Sequence, residues 1–196
     1  MREGDSQVDR RIFLTLCAAG SALTSAQANA ASVADIDDVP RRPIIVKPGE
    51  AKIYSLGLGE AHILVDGERS QGNWWLGQFR EDPGFMTSLH LHPRTTEFFF
   101  VLDGVLAVFL DGGWHDLEAG TTAEIPSGTP HAQGNTSGHP VKFVGWGSPA
   151  GFEQSFPEIG QLASRITPSS PQWGQEVAKI ISRHDTKVLG PPPRRG

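Results

Sequence analysis

The chain has 196 residues, which is enough for one ordinary domain with a proper hydrophobic core. The formal net charge is -5, and because basic residues form no long block, the sequence lacks the electrostatic footprint of a nucleic-acid-binding protein. Its 23 glycines and 15 prolines are closely spaced, which favours many short strands over long helices.

The N-terminal segment has the features of an export signal. The stretch Asp9-Arg10-Arg11-Ile12-Phe13-Leu14 resembles a twin-arginine export motif, an apolar run over 12–23 follows, and small residues end at Ala28-Asn29-Ala30. These features are typical of a signal peptide, and the apolar run is too short for a permanent membrane span. We predict a signal peptide over 1–30, a linker over 31–43, and a periplasmic or secreted protein that has lost its only cysteine, Cys17.

Short apolar runs bounded by glycine and turn residues begin at Ile44. They predict about eleven strands joined by hairpins such as Asp111-Gly112, and therefore an antiparallel sandwich or barrel over 44–150. The strands are predicted over 44–46, 52–58, 62–65, 74–80, 86–92, 97–102, 105–110, 114–117, 123–125, 130–135 and 141–146.

The apolar spacing changes after Gly151. Phe152, Phe156, Ile159 and Leu162 recur at helical spacing, and a second helix is predicted over roughly 171–183. Both apolar stripes are expected to pack on the outside of the barrel. The chain is thus predicted to end in a helical extension over 151–190 and a flexible tail over 191–196.

Two histidines and a glutamate lie close together in the middle of the barrel sequence. His90 and His92 are two residues apart, so a strand places both on one face, and a bend over 93–96 brings Glu97 to the start of the next strand. Two imidazoles and one carboxylate suit Zn, Fe, Mn, Ni or Cu. The simpler alternative is a pair of surface histidines that happen to alternate.

A second stretch adds His131, and the two stretches together resemble the cupin superfamily. The first matches G-x5-H-x-H-x4-E-x6-G and the second matches G-x5-P-x-G-x2-H-x3-N at every fixed position. Those positions are Gly84, His90, His92, Glu97, Gly104, Gly120, Pro126, Gly128, His131 and Asn135. The resemblance implies a single all-β cupin barrel, a double-stranded β-helix or jelly roll, with the two C-terminal helices packed outside it.

The resemblance also implies a metal site. His90, His92, Glu97 and His131 are the expected ligands of one divalent transition metal, which could be Fe, Mn, Ni, Co, Cu or Zn because one ligand set accepts several metals. The alternative is a metal-free barrel in which these residues are satisfied polar groups of the core. The stretch Ser148 to Phe156 further resembles the segment that follows the barrel in bacterial quercetinase-like cupins.

Strand alternation identifies candidate pocket residues next to the expected ligands. Ser88 shares a face with His90, Phe99 and Val101 share one with Glu97, Gln133 shares one with His131, and Phe143 is expected to face inward. Such a lining is mostly apolar and aromatic and suits a flat or hydrophobic organic ligand. Alternatively, these residues simply fill the barrel core.

The functional expectation is an exported mononuclear metal dioxygenase resembling quercetinase. Its substrates would be dioxygen and a small aromatic or enolisable organic molecule, and Glu97 would be the catalytic proton acceptor. The alternatives are metal-dependent lyase, isomerase or decarboxylase chemistry, and a non-catalytic cupin that binds a ligand or a metal. Cupin-type dimethylsulfoniopropionate lyases place tyrosines beside the ligand glutamate, whereas Tyr54 is the only tyrosine here. The family resemblance also suggests a homodimer.

Overall fold

A computed structural model describes residues 42–195 of the chain. The predicted twin-arginine signal peptide and most of the predicted linker therefore lie outside the described residues. Within the described part, no helix is both long enough and apolar enough to cross a membrane.

Residues 42–195 form eleven short strands and two helices, joined by turns and loops. The strands are β1 (Lys52–Ser55), β2 (Gly59–Val65), β3 (Trp75–Glu81), β4 (Leu89–Leu91), β5 (Thr96–Asp103), β6 (Val105–Leu110), β7 (Gly113–Glu118), β8 (Thr122–Ile125), β9 (Ala132–Gly134), β10 (Val141–Ser148) and β11 (Lys187–Gly190). A single 3-10 turn, Phe152–Gln154, leads into α1 (Ser155–Ala163), and α2 (Trp173–Ile181) follows.

The strands form three antiparallel sheets. The order is β1-β2-β3-β10-β5-β8 in the largest sheet, β7-β6-β9 in the second and β11-β4 in the third. The largest sheet is one layer of a jelly roll, and the two smaller sheets supply the opposite wall. The hairpin between β6 and β7 turns at Asp111 and Gly112, whose φ angles of 51° and 80° fit the Asp-Gly turn expected from sequence. The predicted all-β jelly roll is confirmed.

The barrel interior is filled by aromatic rings from neighbouring strands. Alternation along β3 turns Trp75 and Phe79 inward, and Phe79 stacks on Phe143 of β10 with ring centroids 5.1 Å apart. The rings lie so close to β10 that a Cβ on Gly147 would come within 2.3 Å of the Trp75 indole nitrogen. Glycine at this position therefore lets the rings fill the interior.

The described structure differs from the sequence predictions at residues 44–46 and in the packing of the helices. Residues 44–46 form no strand, although their apolar run predicts one. The helices also do more than cover the outside of the barrel. Phe156 of α1 lies 5.5 Å from the inward-facing Phe79, and Phe152 lies 6.1 Å from Trp75. The apolar stripe after the barrel is thus drawn inward, because the open end of the barrel exposes aromatic surface that the stripe can bury.

Candidate metal centre and its cavity

Backbone pairing brings the three motif histidines together. His90 lies in β4, and its backbone N–H and C=O exchange hydrogen bonds of 2.9 and 2.8 Å with His131, just before β9. The carbonyl of His92 accepts from the Gly128 N–H at 2.8 Å, which fixes the end of the same pairing. As a result, one ring nitrogen from each of His90, His92 and His131 lies within 4.8 Å of the other two.

The hydrogen bonds of these rings decide which nitrogen is free. The Nδ1 atoms of His90, His92 and His131 lie 2.8 to 2.9 Å from the backbone oxygens of Ser88, Asp185 and Thr129. Because a carbonyl oxygen only accepts, each Nδ1 carries a proton and each Nε2 offers a lone pair.

The free nitrogens are buried with nothing to bond to. The Nε2 atoms of His92 and His131 have no hydrogen-bond partner among residues 42–195. The three histidines are only 4, 2 and 1% exposed, so bulk solvent hardly reaches them. Unpaired buried acceptors are costly unless something binds them, and a divalent metal is what neutral imidazoles with protonated Nδ1 atoms bind. The three histidines therefore fit a metal ion.

Glu97 points at the same place from β5. Its Oε2 lies 3.3 Å from His131 Nε2 and 3.6 Å from His92 Nε2, at or beyond the limit of a hydrogen bond. A carboxylate oxygen facing two nitrogen lone pairs is repelled unless a proton or a metal cation lies between them. The sequence-predicted set of His90, His92, Glu97 and His131 is thus gathered at one point, in an arrangement that a cation would stabilise.

The ionisation of Glu97, His90 and His92 agrees with that arrangement. Burial disfavours the charged form of Glu97, but hydrogen bonding to His131 and His92, with a proton between the atoms in place of a cation, outweighs burial and holds the pKa of this carboxyl well below its usual range. Burial, together with repulsion from His131 and His92, lowers the pKa of His90 to about 3. For His92 burial also lowers the pKa, but the Glu97 carboxylate outweighs burial and leaves the pKa above its ordinary value. The centre therefore combines a negative carboxylate with a neutral His90.

The C-terminal segment supports the ligand strand, which the sequence analysis did not foresee. β11 pairs with β4, placing Val188 opposite His90, and the backbone oxygen that holds the His92 ring belongs to Asp185, 93 residues further along the chain. The Asp185 carboxylate also accepts from the backbone N–H and hydroxyl of Thr95 at 3.0 and 2.8 Å. The run Val188-Leu189 before Gly190 was the one sequence signal for this strand.

A cavity of about 260 Å³ opens beside the metal centre. His90 and Glu97 line it, together with aromatic and aliphatic side chains from both the barrel and the two helices. Of the candidate pocket residues, Ser88, Phe99, Gln133 and Phe143 line the cavity. Val101 does not line the cavity. Its side chain is 0% exposed and lies in the hydrophobic core, because neighbouring side chains fill the barrel interior beside this part of β5.

Glu81 is a cavity residue that the sequence analysis missed. It ends β3 on the inward face, lines the cavity and is only 1% exposed. Neither carboxyl oxygen has a hydrogen-bond partner among the described residues. The alternation of β3 from Trp75 to Glu81 could have indicated this position, but an acidic residue at a strand end is more often solvated.

Comparison with known proteins agrees with the fold. Residues 77–146 match the family model described as Cupin domain. The chain is also 33% identical to quercetin 2,3-dioxygenase of Bacillus subtilis (strain 168) over 92 residues. That match covers 47% of this chain but only 27% of the enzyme, so the two share about a quarter of the enzyme's length.

Two solved structures extend the comparison. KdgF from Halomonas sp. has a TM-score of 0.51 at 17% identity, covering 58% of this chain and 99% of that one. A predicted oxalate decarboxylase from Thermotoga maritima has a TM-score of 0.49 at 20% identity, covering 54% of this chain and 99% of that one. The likeness to KdgF shows the fold alone. The match of residues 77–146 to the cupin domain model and the dioxygenase relative support placement of the chain in the cupin superfamily.

Proposed function

We propose that the protein is a mononuclear metal-dependent dioxygenase similar to quercetinase, acting on a small aromatic or enolisable substrate. The observation that carries this proposal is the position of the ligand set, because His90 and Glu97 line a largely apolar cavity that is rich in aromatic rings. A cavity of this kind favours a flat organic molecule over a sugar phosphate or a dicarboxylate. The partial identity to quercetin 2,3-dioxygenase supports the same choice.

The proposed roles follow from where each side chain lies. His90, His92 and His131 would hold the metal through Nε2, and Glu97 would be its fourth ligand. The metal, when bound, supplies Lewis-acid polarisation and access to dioxygen chemistry. Glu97 Oε2 would accept the proton of an acidic substrate hydroxyl. Phe99 and Phe143, with Phe152 from the segment after the barrel, would position the substrate ring and exclude water.

Metal analysis followed by oxygen uptake tests the proposal. Protein from the native compartment is expected to contain one divalent transition metal per chain, and a panel of flavonols and other enolisable aromatics is expected to consume dioxygen. Product formation without dioxygen would instead indicate a lyase, isomerase or decarboxylase. Tight binding without any product would indicate a non-catalytic binding cupin, and either result would overturn the dioxygenase proposal.

The export motif adds a proposal about location. We propose that the mature protein works in the periplasm or outside the cell, and that twin-arginine export carries it there folded. Folding before export would let the barrel take up its metal in the cytoplasm, where the metal supply is controlled.

We also propose a homodimer, which the family resemblance suggests. The mass of the protein in solution tests this proposal.

A further inference from the structure

The feature that the proposed reaction leaves unexplained is the buried carboxyl group of Glu81. A glutamate that only supports the scaffold looks like Glu153, which is 4% exposed and accepts backbone hydrogen bonds from Gly67 and Gly151 at 2.9 and 2.6 Å. Glu81 is as deeply buried, yet neither of its oxygens is bonded within residues 42–195, and its side chain lines the cavity. Buried polar groups without partners are rare and call for a bound partner.

The backbone around Glu81 is fixed while its side chain is left free. Asn135 donates from Nδ2 to the Glu81 backbone oxygen at 2.9 Å, which holds the end of β3 in place. The cross-strand neighbours of Glu81 are Gly59 and Val141, neither of which can bond a carboxyl group through its side chain. The backbone therefore positions this carboxyl group in the cavity, and Gln133 is the one described side chain that offsets part of its burial.

Gln133 is the polar side chain that acts on Glu81, and it follows the expected metal ligand His131 in the chain. Gln133 is two residues beyond His131 on the same face of β9, which separates them by about 7 Å along the strand. The Thr87 hydroxyl donates to its side-chain oxygen at 3.2 Å, which leaves its amide nitrogen as the donor to the Glu81 carboxyl group. Glu81 lies opposite Val141 of β10 and Glu97 lies opposite Gly147, six positions along the same strand, so Glu81 marks a polar part of the cavity that is distinct from the metal centre.

The protonation state of Glu81 decides what it can bind. Burial raises the pKa of Glu81 to about 8, and the nearby Gln133 side chain offsets only part of that effect. At neutral pH the group is a carboxylic acid, which has one O–H donor. A neutral acid in an apolar cavity recognises a hydrogen-bond acceptor and has no preference for a cation.

We propose that Glu81 positions the organic ligand by donating a hydrogen bond from its protonated carboxyl group to an acceptor oxygen at the end of the ligand away from the metal. The ligand is then a flat, largely apolar molecule with an acidic hydroxyl at one end and a carbonyl-type oxygen at the other. This inference rests on the proposed function only in taking the acidic hydroxyl to face the metal centre.

Binding of matched flavonols tests the hydrogen bond. The four compounds form two pairs, one for each end of the ring system. Within a pair, one compound carries an acetyl group and the other an isopropenyl group at the same position. The two groups have the same planar shape, but only the acetyl group has an acceptor oxygen. Affinity is measured on zinc-loaded protein without dioxygen, by quenching of tryptophan fluorescence, since Trp173 lines the cavity. At one of the two ends, wild-type protein is expected to prefer the acetyl compound by roughly tenfold.

Two variants separate the donor from the charge. Glu81→Gln keeps a neutral donor and is expected to keep the preference for acetyl within about threefold. Glu81→Met keeps the size of the side chain without a donor and is expected to lose the preference. The proposal is overturned by a preference that survives in Glu81→Met, by equal affinities in wild-type protein, or by failure of all four compounds to bind. Because no turnover is measured, absence of oxygen uptake would overturn the dioxygenase proposal and leave this result standing.

Thermal unfolding and infrared spectra test the free carboxyl group without any ligand. Since neither Glu81 oxygen has a partner at hydrogen-bond distance among the described residues, Glu81→Met is expected to raise Tm by a few degrees. Glu153→Met, the matched control, should lower Tm by leaving two backbone N–H groups unpaired. The infrared difference between wild-type protein and Glu81→Gln at neutral pH should contain the C=O stretch of a protonated carboxyl group. A lower Tm in Glu81→Met, or a carboxylate spectrum in place of the acid, would overturn the proposal.

Discussion

Glu97 is the residue at which metal binding and proton transfer can be told apart. Glutamine keeps the size and one oxygen ligand but cannot accept a proton, so Glu97→Gln should retain most of the metal through the three imidazoles. Turnover is expected to fall by roughly 10²-fold or more, the usual effect of losing general-base assistance. Oxygen uptake at matched metal content measures this. A wild-type rate in Glu97→Gln would mean that Glu97 is only a ligand and that the proposed proton abstraction is wrong.

Glu81 gives a prediction for stability against pH. Its pKa is about 8 in the folded chain, whereas an exposed glutamate titrates near 4.3. Between these values the unfolded chain has released the proton that the folded chain still holds, so the folded state loses stability as pH rises from about 5 to about 8. Glu81→Gln cannot titrate there, and its Tm should fall less over this range. Parallel curves for the two proteins would show that Glu81 is ionised in the folded chain.

The C-terminal strand is the element whose removal should affect the metal centre from a distance. Ending the chain after His184 removes the Asp185 oxygen that holds the His92 ring and the β11 pairing with β4. Loss of such supporting hydrogen bonds typically costs 10- to 100-fold in metal affinity, and a loss of this size is expected here. Competition with a chelator of known affinity measures it.

The matched control is a chain that ends after Gly190. It loses the contacts of the tail, such as the Arg195 hydrogen bond to Thr136 at 2.7 Å, but keeps Asp185 and β11. Its metal affinity should stay within about threefold of the full chain, well short of the loss expected when the Asp185 oxygen and β11 are removed. If both truncations weaken the metal equally, the tail rather than the strand supports the centre.

The same element shows how far sequence reasoning reaches. Alternation and turn residues predict most barrel strands, because each strand is marked by its own local pattern. The four residues gathered at the metal centre were found from the spacing of two short motifs. β11, in contrast, exists through pairing with a strand almost a hundred positions earlier, for which four residues give almost no local signal. The inward packing of Phe156 and the unpaired state of Glu81 likewise depend on what surrounds them in space, so local patterns could not predict either.

At the scale of the whole molecule, the predicted export signal implies that the mature protein is shorter than the 196-residue chain. The twin-arginine, apolar and Ala28-Asn29-Ala30 series indicates cleavage after Ala30, which would leave 166 residues, from 196 minus 30. Intact-mass measurement of protein recovered from the periplasm or medium should give the mass of this shorter chain. Replacement of Arg10 and Arg11 by lysine should retain the full-length form in the cytoplasm. An exported protein that still begins at Met1 would contradict the signal-peptide prediction.

The metal centre should also stabilise the fold as a whole, because its ligands come from both walls of the barrel. His90 and His92 lie in and just after β4, Glu97 in β5 and His131 before β9, so an ion bound by all four links segments from three sheets. An ion that binds only the folded state adds about 4 kcal/mol at a free concentration 1,000 times its dissociation constant.

For a chain of this size, that stabilisation corresponds to a rise in Tm of about 8–16 °C. Thermal unfolding of metal-free protein, titrated with Zn²⁺, Fe²⁺, Mn²⁺, Ni²⁺, Co²⁺ and Cu²⁺ in turn, measures the rise and ranks the metals without any assay of activity. His131→Ala removes one ligand and the unpaired Nε2 atom with it, so its Tm should respond far less to every metal in the series. Metal-independent Tm values in wild-type protein, or equal shifts in His131→Ala, would mean that the three histidines and Glu97 do not act together as one site.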